Sequence, residues 1–281
     1  MKRLLVLTIL VLFCLGTGKG IYWARKGFSV RRVQPLERET VVAWNEEADR
    51  ALDQKFHYLS RGRQCFAFAS EDGKYVLKLP RTDIYEIPLW ARALPVSLKR
   101  EQICANRKRI ETYLFSSFQI SFEELKEQTG MIALHLGQTA PEGKQLTLVD
   151  RLGCAFHLPM EKTSFVLQHK YPILIRSFLS ALEQGNRKEG ERILEALVDV
   201  VVERGSKGIL NRDGSFLRNY GYDGQKAYQI DIGSFFHNEN LEEEEAFRKS
   251  IRDTMNPIRF WLGKTDPEML QFLENKLASI R

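Results

Sequence analysis

Short alternating apolar runs dominate the first half of the chain. Phe56–Leu59, Gln64–Ala69 and Tyr75–Leu79 are apolar or alternating, and turn-forming residues separate them. The Asp-Gly pair within Glu71–Lys74 favours a tight hairpin, so we predict three antiparallel strands here. Similar runs predict four further strands, over 131–136, 146–149, 155–158 and 164–168.

Helical periodicity follows and then dominates the second half. Residues 97–128 fit one long helix that stops at Gly130. Glu111 projects from the apolar stripe of this helix, and a carboxylate on an apolar face needs a partner. The alternative is that Glu111 lies beyond the packed part of the helix and is solvated. Four more helical segments are predicted, over 173–182, 187–204, 241–254 and 267–280.

The N-terminus carries an apolar segment. Residues 4–23 are just long enough to span a bilayer as a single anchor, and they end in an aromatic pair typical of the membrane interface. A cleaved signal peptide is the alternative, because a basic start and the small residues Gly16 and Gly18 have cleavage-like spacing. We favour the anchor. The larger number of Lys and Arg residues beyond the segment predicts a bacterial inner-membrane protein whose main domain is cytoplasmic.

Composition narrows the classes of function. The chain has 281 residues, enough for one large domain or two lobes with ample core. Its net charge of +6 is modest and no basic-aromatic pattern recurs, so we expect no nucleic-acid partner. The four cysteines lie far apart without CxxC spacing, which excludes a cysteine zinc site and a disulfide framework.

Candidate chemistry concentrates in the stretch 208–236. It contains Asp213, Asn219 and Asp231, and the last of these closes a short apolar run before a glycine. Carboxylate, amide and carboxylate groups brought together at strand ends form a hard oxygen site suited to Mg²⁺ and a phosphate ester. The alternative is that the Asp-Gly pairs in this stretch are turn residues only.

The order of these elements and motifs resembles the protein-kinase-like fold, which includes protein kinases and aminoglycoside-type phosphotransferases. The resemblance spans about residues 55–236. Val76-Leu-Lys78 is similar to the family's Val-Ala-x-Lys strand. Asn211-Arg-Asp213 resembles the His-Arg-Asp catalytic loop, and Ile230-Asp-Ile-Gly233 resembles the Asp-Phe-Gly segment.

This resemblance implies a role for each matching residue. Lys78 would hold the α and β phosphates of ATP, with Glu111 as its ion-pair partner and Glu124 as the second choice. Asp213 would orient the acceptor hydroxyl and take its proton. The metal ligands for Mg²⁺ would be Asn219 and Asp231.

Two further positions match the family less closely. Gly62 is the one glycine retained in a degenerate glycine-rich loop, where it would contact the nucleotide. Phe165–Gln168 resembles the strand that leads into the hinge, which assigns Gln168 to adenine binding. Asn219 lies six residues after Asp213 where the family has five, and only about 45 residues follow the stretch 208–236.

The implied architecture is an α+β bilobal kinase-like fold with an antiparallel-sheet N-lobe and a small helical C-lobe, preceded by an apolar helix. We divide the chain into four parts. These are an anchor or signal segment (1–23), a juxtamembrane linker (24–54), a β-rich part with the long helix (55–170) and a compact helical lobe (171–281).

The implied function is that of an ATP- and Mg²⁺-dependent phosphotransferase held at a membrane through residues 4–23. A catalytically inactive pseudokinase, acting as a nucleotide-binding or protein-interaction scaffold, is the alternative. The degenerate glycine loop and the asparagine at 211 favour that alternative. An exported protein with a cleaved signal is the third hypothesis. The sequence does not identify the phosphoryl acceptor.

Overall fold

The computed structural model divides the chain into two compact units. The sheet unit comprises residues 1–104 and 135–166, and the helical unit comprises 105–134 and 167–281. Each has its own buried core and is described by itself. The structure describes residues 17, 19–33, 41–43, 45–88, 98–136, 143–213 and 218–280.

Eight strands of the described chain form one mixed sheet in the order β1-β5-β8-β4-β3-β2-β6-β7. Strands β5 and β8 cross the boundary between the units, and the other six belong to the sheet unit. The strands are β1 (Val41–Ala43), β2 (Lys55–Arg61), β3 (Cys65–Ser70), β4 (Tyr75–Pro80), β5 (Met131–Leu136), β6 (Gln145–Val149), β7 (Ala155–Pro159) and β8 (Phe165–His169).

The three predicted antiparallel strands are confirmed as β2, β3 and β4. Strand β3 pairs antiparallel with both neighbours, and the turn to β4 contains Gly73 at a φ of 73°. Alternation determines which side chains are buried, because successive side chains point to opposite faces. Phe66 and Phe68 of β3 and Leu77 and Leu79 of β4 are fully buried. Two short helices flank these strands, α1 (Glu46–Leu52) and α2 (Thr82–Tyr85).

The prediction of an antiparallel N-terminal sheet is wrong for one pair of strands. Strand β6 runs parallel to β2, with Lys55 opposite Thr147 and His57 opposite Val149. A tight hairpin forces antiparallel pairing, whereas a long connection allows the parallel arrangement. The described chain between β2 and β6 includes three helices and three other strands of the sheet. The sheet is therefore mixed.

Residues 19–33 pack against the sheet unit. A short helix covers 19–24, and Phe28 is 1% exposed with its ring edge-to-face against Phe66, Phe68 and Phe156. Most of the predicted anchor, residues 4–16 and 18, lies outside the described residues. Within the described part of the chain, no helix is both long enough and apolar enough to cross a membrane.

The helical unit is formed mainly by helices around one apolar core. Val198, Met255 and Leu273 are among its fully buried members and come from three different helices. The helices predicted after residue 170 are all present. Including the long helix, the elements are α3 (Leu98–Glu123), α4 (Lys126–Thr129), α5 (Leu174–Glu183), α6 (Arg187–Ser206), α7 (Glu244–Thr265) and α8 (Pro267–Ala278).

The predicted long helix is divided in two. It breaks at Glu124 and Leu125, and α4 then ends at Gly130, which has the left-handed φ of 64° typical of a helix C-terminus. The predicted stop at Gly130 is therefore confirmed, while the single helix to residue 128 is interrupted. Two small antiparallel ladders complete the helical unit, formed by β9 (Ile209–Asn211) with β12 (Phe235–His237) and β10 (Tyr220–Tyr222) with β11 (Ala227–Gln229).

Candidate phosphate and metal site

The predicted site residues are distributed over both units. Gly62 and Lys78 belong to the sheet unit. The remaining predicted residues belong to the helical unit, namely Glu111, Gln168, Asp213, Asn219 and Asp231.

The helical unit brings Asn219 and Asp231 together. The backbone carbonyl of Asn219 accepts hydrogen bonds from the N–H groups of Ile230 and Asp231, at 2.8 and 3.4 Å. These contacts continue the β10–β11 ladder, in which Tyr220 lies opposite Gln229. Asn219 is 3% exposed and Asp231 is half-buried. The backbones of Asn219 and Asp231 therefore meet at adjacent strand ends, and the role of their side chains as metal ligands stays a prediction.

Asp213 is held beside the same segment by a second ladder. Asn211 of β9 lies opposite Phe235 of β12, and the N–H of Arg212 donates to the Ser234 carbonyl at 3.0 Å. The Asn211 side chain accepts from the N–H of Asp213 at 2.8 Å, which fixes the start of the loop. The chain from 211 to 213 thus runs alongside the residues that follow Asp231. The loop that contains the extra residue predicted before Asn219 runs largely through 214–217, which lie outside the described residues.

A buried serine of α3 clamps the Asp231–Phe235 turn. The Ser117 hydroxyl donates to the Ile232 carbonyl at 2.5 Å and accepts from the N–H of Phe235 at 2.7 Å. The Ser121 hydroxyl donates to the Ser117 carbonyl at 2.6 Å and lies 3.4 Å from the Ile232 carbonyl. Both serines are 0% exposed. The turn that carries Asp231 is therefore hydrogen-bonded on both sides of Gly233.

Sequence reasoning missed this clamp. The available signal was the position of Ser117 and Ser121 on the helix, since they share the buried face of α3 with Leu114 and Phe118. Buried hydroxyls on an apolar helix face need hydrogen-bond partners. Their spacing of four residues places them one above the other. That pattern indicates a polar contact but does not identify the segment that supplies it.

Arg212 is a second residue that the sequence did not single out. Its guanidinium carbon lies 4.5 Å from the Tyr113 ring centroid and 4.3 Å from that of Phe236. A cation between two aromatic faces is held by the quadrupoles of both rings. The residue immediately before Asp213 is thus fixed to α3 and to β12.

The donor set of the helical unit fits Mg²⁺. Mg²⁺ prefers oxygen ligands and keeps several waters, so one or two protein groups together with phosphate oxygens suffice. Asp231 carries a carboxylate, and Asn219, whose backbone contacts that of Asp231, carries an amide. The buried amide nitrogen of Asn219 has no hydrogen-bond partner within the described structure, and a half-turn of this amide exchanges its nitrogen and oxygen. Across the described residues, no cluster of three His, Cys, Asp or Glu side chains offers an alternative metal site.

Lys78 lies in the middle of the sheet unit. It occupies β4 opposite Ala67 of β3, and its neighbours Leu77 and Leu79 are both fully buried. Because side chains alternate along a strand, Lys78 projects from the face opposite to those leucines, where it is half-buried. The role of Lys78 towards nucleotide phosphates stays a prediction.

The Gly62 turn is closed by its own hydrogen bonds. The N–H of Gly62 donates to the Cys65 carbonyl at 2.8 Å. The Arg81 guanidinium donates to the carbonyls of Gly62 and Arg63, at 3.1 and 3.2 Å, and forms a 2.7 Å ion pair with Asp83. Arg81 is 8% exposed. A loop that binds phosphate points its N–H groups at the ligand, whereas the Gly62 N–H is engaged by the Cys65 carbonyl.

The remaining predicted residues lie in the helical unit. Glu111 is half-buried on α3. Glu124, the second choice as partner of Lys78, lies 2.9 Å from His237 through its carboxylate. The Gln168 side chain is 1% exposed and donates to the Thr129 carbonyl at 2.9 Å, so it serves the packing of β8 against α4. The roles proposed for these residues stay predictions.

A separate shallow cleft of about 310 Å³ lies on the helical unit. Arg192, Glu195 and Tyr222 are among the residues that line it. Burial and a hydrogen bond to Glu189 raise the pKa of Tyr222 to about 12, so its hydroxyl stays protonated at neutral pH. The cleft contains none of the predicted site residues.

Comparison with known proteins finds similarity only among solved structures. No family model and no curated protein matches the chain. A complex of WbdD with a kinase inhibitor aligns with 80% of this chain and 46% of its own, at 17% identity and a TM-score of 0.37. A structure described as the bifunctional kinase-methyltransferase WbdD aligns with 90% of this chain and 49% of its own, at 14% identity and a TM-score of 0.34.

The chain spans about half the length of the WbdD structures that it matches. At identities of 14–17% and TM-scores of 0.34–0.37, this similarity carries no weight in assigning the site. The resemblance to kinase-like proteins therefore rests on the sequence motifs.

Proposed function

We propose that the protein is an ATP- and Mg²⁺-dependent phosphotransferase of the kinase-like type. The observation that carries the proposal is the pairing of Asn219 with Asp231 on a turn that Ser117 clamps. A turn-forming aspartate has no need of a buried asparagine beside it or of two hydrogen bonds from a helix. A metal-binding carboxylate does need such support, because small displacements weaken coordination.

Each group has a distinct task in this proposal. Asp231 and Asn219 would supply the protein oxygens for Mg²⁺, which when bound would offset phosphate charge during transfer. Lys78 would supply a positive charge for the nucleotide phosphates. Asp213 would orient the acceptor hydroxyl and take its proton. Little covalent chemistry is required of the protein, so catalysis depends mainly on positioning.

A thermal-shift titration tests the proposal. We expect ATP with Mg²⁺ to raise the melting temperature of the full chain, and ATP without Mg²⁺ to raise it less. Asp231→Ala should abolish the Mg²⁺-dependent part, since it removes the carboxylate ligand. Asp253→Ala changes an exposed aspartate of α7 and is the matched control, expected to keep the wild-type shift. Absence of a Mg²⁺-dependent shift with every nucleotide tested would overturn the proposal.

A pseudokinase is the second candidate, and the closed Gly62 turn favours it. A loop whose N–H is already bonded within the sheet unit contributes less to phosphate binding. This candidate predicts nucleotide binding without turnover. Asp213→Ala separates the two functions: loss of phosphotransfer with retained nucleotide binding supports the enzyme, whereas an unchanged biological function in this variant supports the scaffold.

Membrane anchoring through residues 4–23 is part of the proposal. The basic residues around this segment support a single-pass anchor with the main domain in the cytoplasm. A cytoplasmic location would give the site access to ATP.

A further inference from the structure

The residues that follow the predicted anchor are attached firmly to the sheet unit. The Arg25 guanidinium forms a 2.7 Å ion pair with Asp150, whose side chain is 0% exposed, and it lies over the Phe156 ring at 5.3 Å. Phe28 inserts its ring into the sheet core. Arg32 contacts the Tyr22 ring and its hydroxyl, which ties the helix 19–24 to the segment that follows it.

These contacts bring three exposed cations together with three exposed apolar side chains. Lys26 follows the helix 19–24, and its backbone carbonyl accepts from Arg61 of β2 at 3.2 Å. Arg151 follows Asp150 in the β6–β7 turn. Arg61 and Arg151 both lie near Tyr58. Burial raises the pKa of Tyr58, and the charges of these two arginines lower it. The apolar members are Ile21, Trp23 and Leu152, with exposed fractions of 49%, 70% and 50%.

We call this set the N-terminal surface, and it consists of Ile21, Trp23, Lys26, Arg61, Arg151 and Leu152. The segment 19–33 contains five basic residues and no acidic one. The two acidic side chains that it contacts are engaged by arginines, Asp150 by Arg25 and Asp83 by Arg32 and Arg81. The exposed charge of this segment is therefore positive, and the segment also carries the exposed Trp23.

We propose that the N-terminal surface lies against an anionic lipid leaflet. Tryptophan favours the membrane interface because its ring is apolar and its N–H is polar. Lysine and arginine near an anionic leaflet each strengthen binding about fivefold. Leu152 and Arg151 reach this surface from a turn 125 residues beyond Lys26 in sequence, so the lipid contact extends past the predicted anchor onto the sheet.

The orientation of the sheet unit follows from this contact. Strand β6 runs parallel to β2, so the β6–β7 turn lies at the same end of the sheet as Arg61. The β3–β4 turn at Glu71–Lys74 lies at the other end, because β2 and β3 are antiparallel. At about 3.3 Å per residue, the seven residues of β2 separate these ends by about 20 Å. The proposal is independent of the phosphotransferase function.

Fluorescence quenching by brominated lipid tests the proposal on the full chain in vesicles. Cys154 is exposed two residues after Leu152 and accepts an environment-sensitive fluorophore once Cys14, Cys65 and Cys104 are replaced by serine. We expect strong quenching in vesicles that contain phosphatidylglycerol and at least about fivefold weaker quenching in phosphatidylcholine alone. The same probe at Glu71→Cys, with Cys154 also replaced, should be quenched in neither.

Charge reversal identifies the groups responsible. The double variant Lys26→Glu/Arg151→Glu should lose the quenching at Cys154, while Lys74→Glu, a reversal at the other end of the sheet, should retain it. Both variants keep the buried ion pair of Arg25 with Asp150, and their melting temperatures verify the fold. Equal quenching at positions 71 and 154 would overturn the proposal. So would quenching at 154 that neither lipid charge nor charge reversal changes, which would point to a protein or purely apolar contact.

Discussion

At the scale of single residues, neighbouring serines on α3 have different environments. Ser117 is 0% exposed and bonds both sides of the turn after Asp231, whereas Ser116 points to solvent. In the sequence they are two adjacent, identical residues. Their different roles arise because a helix turns 100° per residue, which directs these two adjacent side chains to different surroundings.

Replacing these serines tests whether the clamp positions the metal ligand. Ser117→Ala leaves the Phe235 N–H without its acceptor in a buried site, and we expect a loss of about 1–3 kcal/mol in the free energy of unfolding. The Mg²⁺ concentration for half-maximal nucleotide-induced thermal shift should rise about fivefold. Ser116→Ala should change the free energy of unfolding by less than about 0.5 kcal/mol and should leave the half-maximal Mg²⁺ concentration unchanged. A destabilised Ser117→Ala protein with unaltered Mg²⁺ dependence would show that the clamp is structural only.

At the scale of elements, glycines end two helices of the helical unit in different surroundings. Gly130 after α4 and Gly185 after α5 both have left-handed φ angles, of 64° and 70°. A side chain at Gly130 would place its Cβ 2.6 Å from the Tyr171 hydroxyl, whereas nothing lies within 4 Å of one at Gly185. The helix end at Gly130 is therefore restricted by packing as well as by backbone geometry.

This contrast predicts unequal costs for the same substitution. Gly185→Ala should cost about 1 kcal/mol, the penalty of a left-handed conformation for an L-residue. Gly130→Ala should cost at least about 1 kcal/mol more, because the Tyr171 ring must move from its close packing. Chemical denaturation monitored by circular dichroism measures both. Equal losses in the two variants would mean that Tyr171 adjusts freely.

At the scale of the whole molecule, the chain forms two units, and its basic N-terminal segment 19–33 is part of the sheet unit. Phe28 and Val33 are buried in the sheet unit, so the residues after the predicted anchor are held by a core. The predicted juxtamembrane linker of 24–54 contains this packed segment, β1 and α1. An anchor followed by such a segment would hold the sheet unit close to the membrane.

The anchor hypothesis predicts that the mature protein keeps its first residues. N-terminal sequencing of protein purified from membranes should begin at Met1 or Lys2, and alkaline carbonate washing should leave the protein in the membrane pellet. A mature chain that begins after Gly18 would instead establish a cleaved signal and an exported protein. Either outcome is independent of nucleotide binding.

The sequence by itself determined most elements and the local part of the site. Strand alternation, helical periodicity and the Gly130 stop depend on a few neighbouring residues, and they hold in the structure with shifts of a few positions. The backbone contact of Asn219 with Asp231 is equally local, because the short β10–β11 ladder joins them within a dozen residues, while their role as metal ligands stays a prediction.

The tertiary structure decided what depends on residues distant in sequence. The parallel pairing of β2 with β6, the closure of the Gly62 turn by Arg81 and the contact of Arg25 with Asp150 each join distant positions. The Ser117 clamp joins residues 115 and 118 positions apart. Periodicity reports which face of an element is buried but not the element that covers it, because hydrophobic burial is non-directional. Only packing identifies the partner.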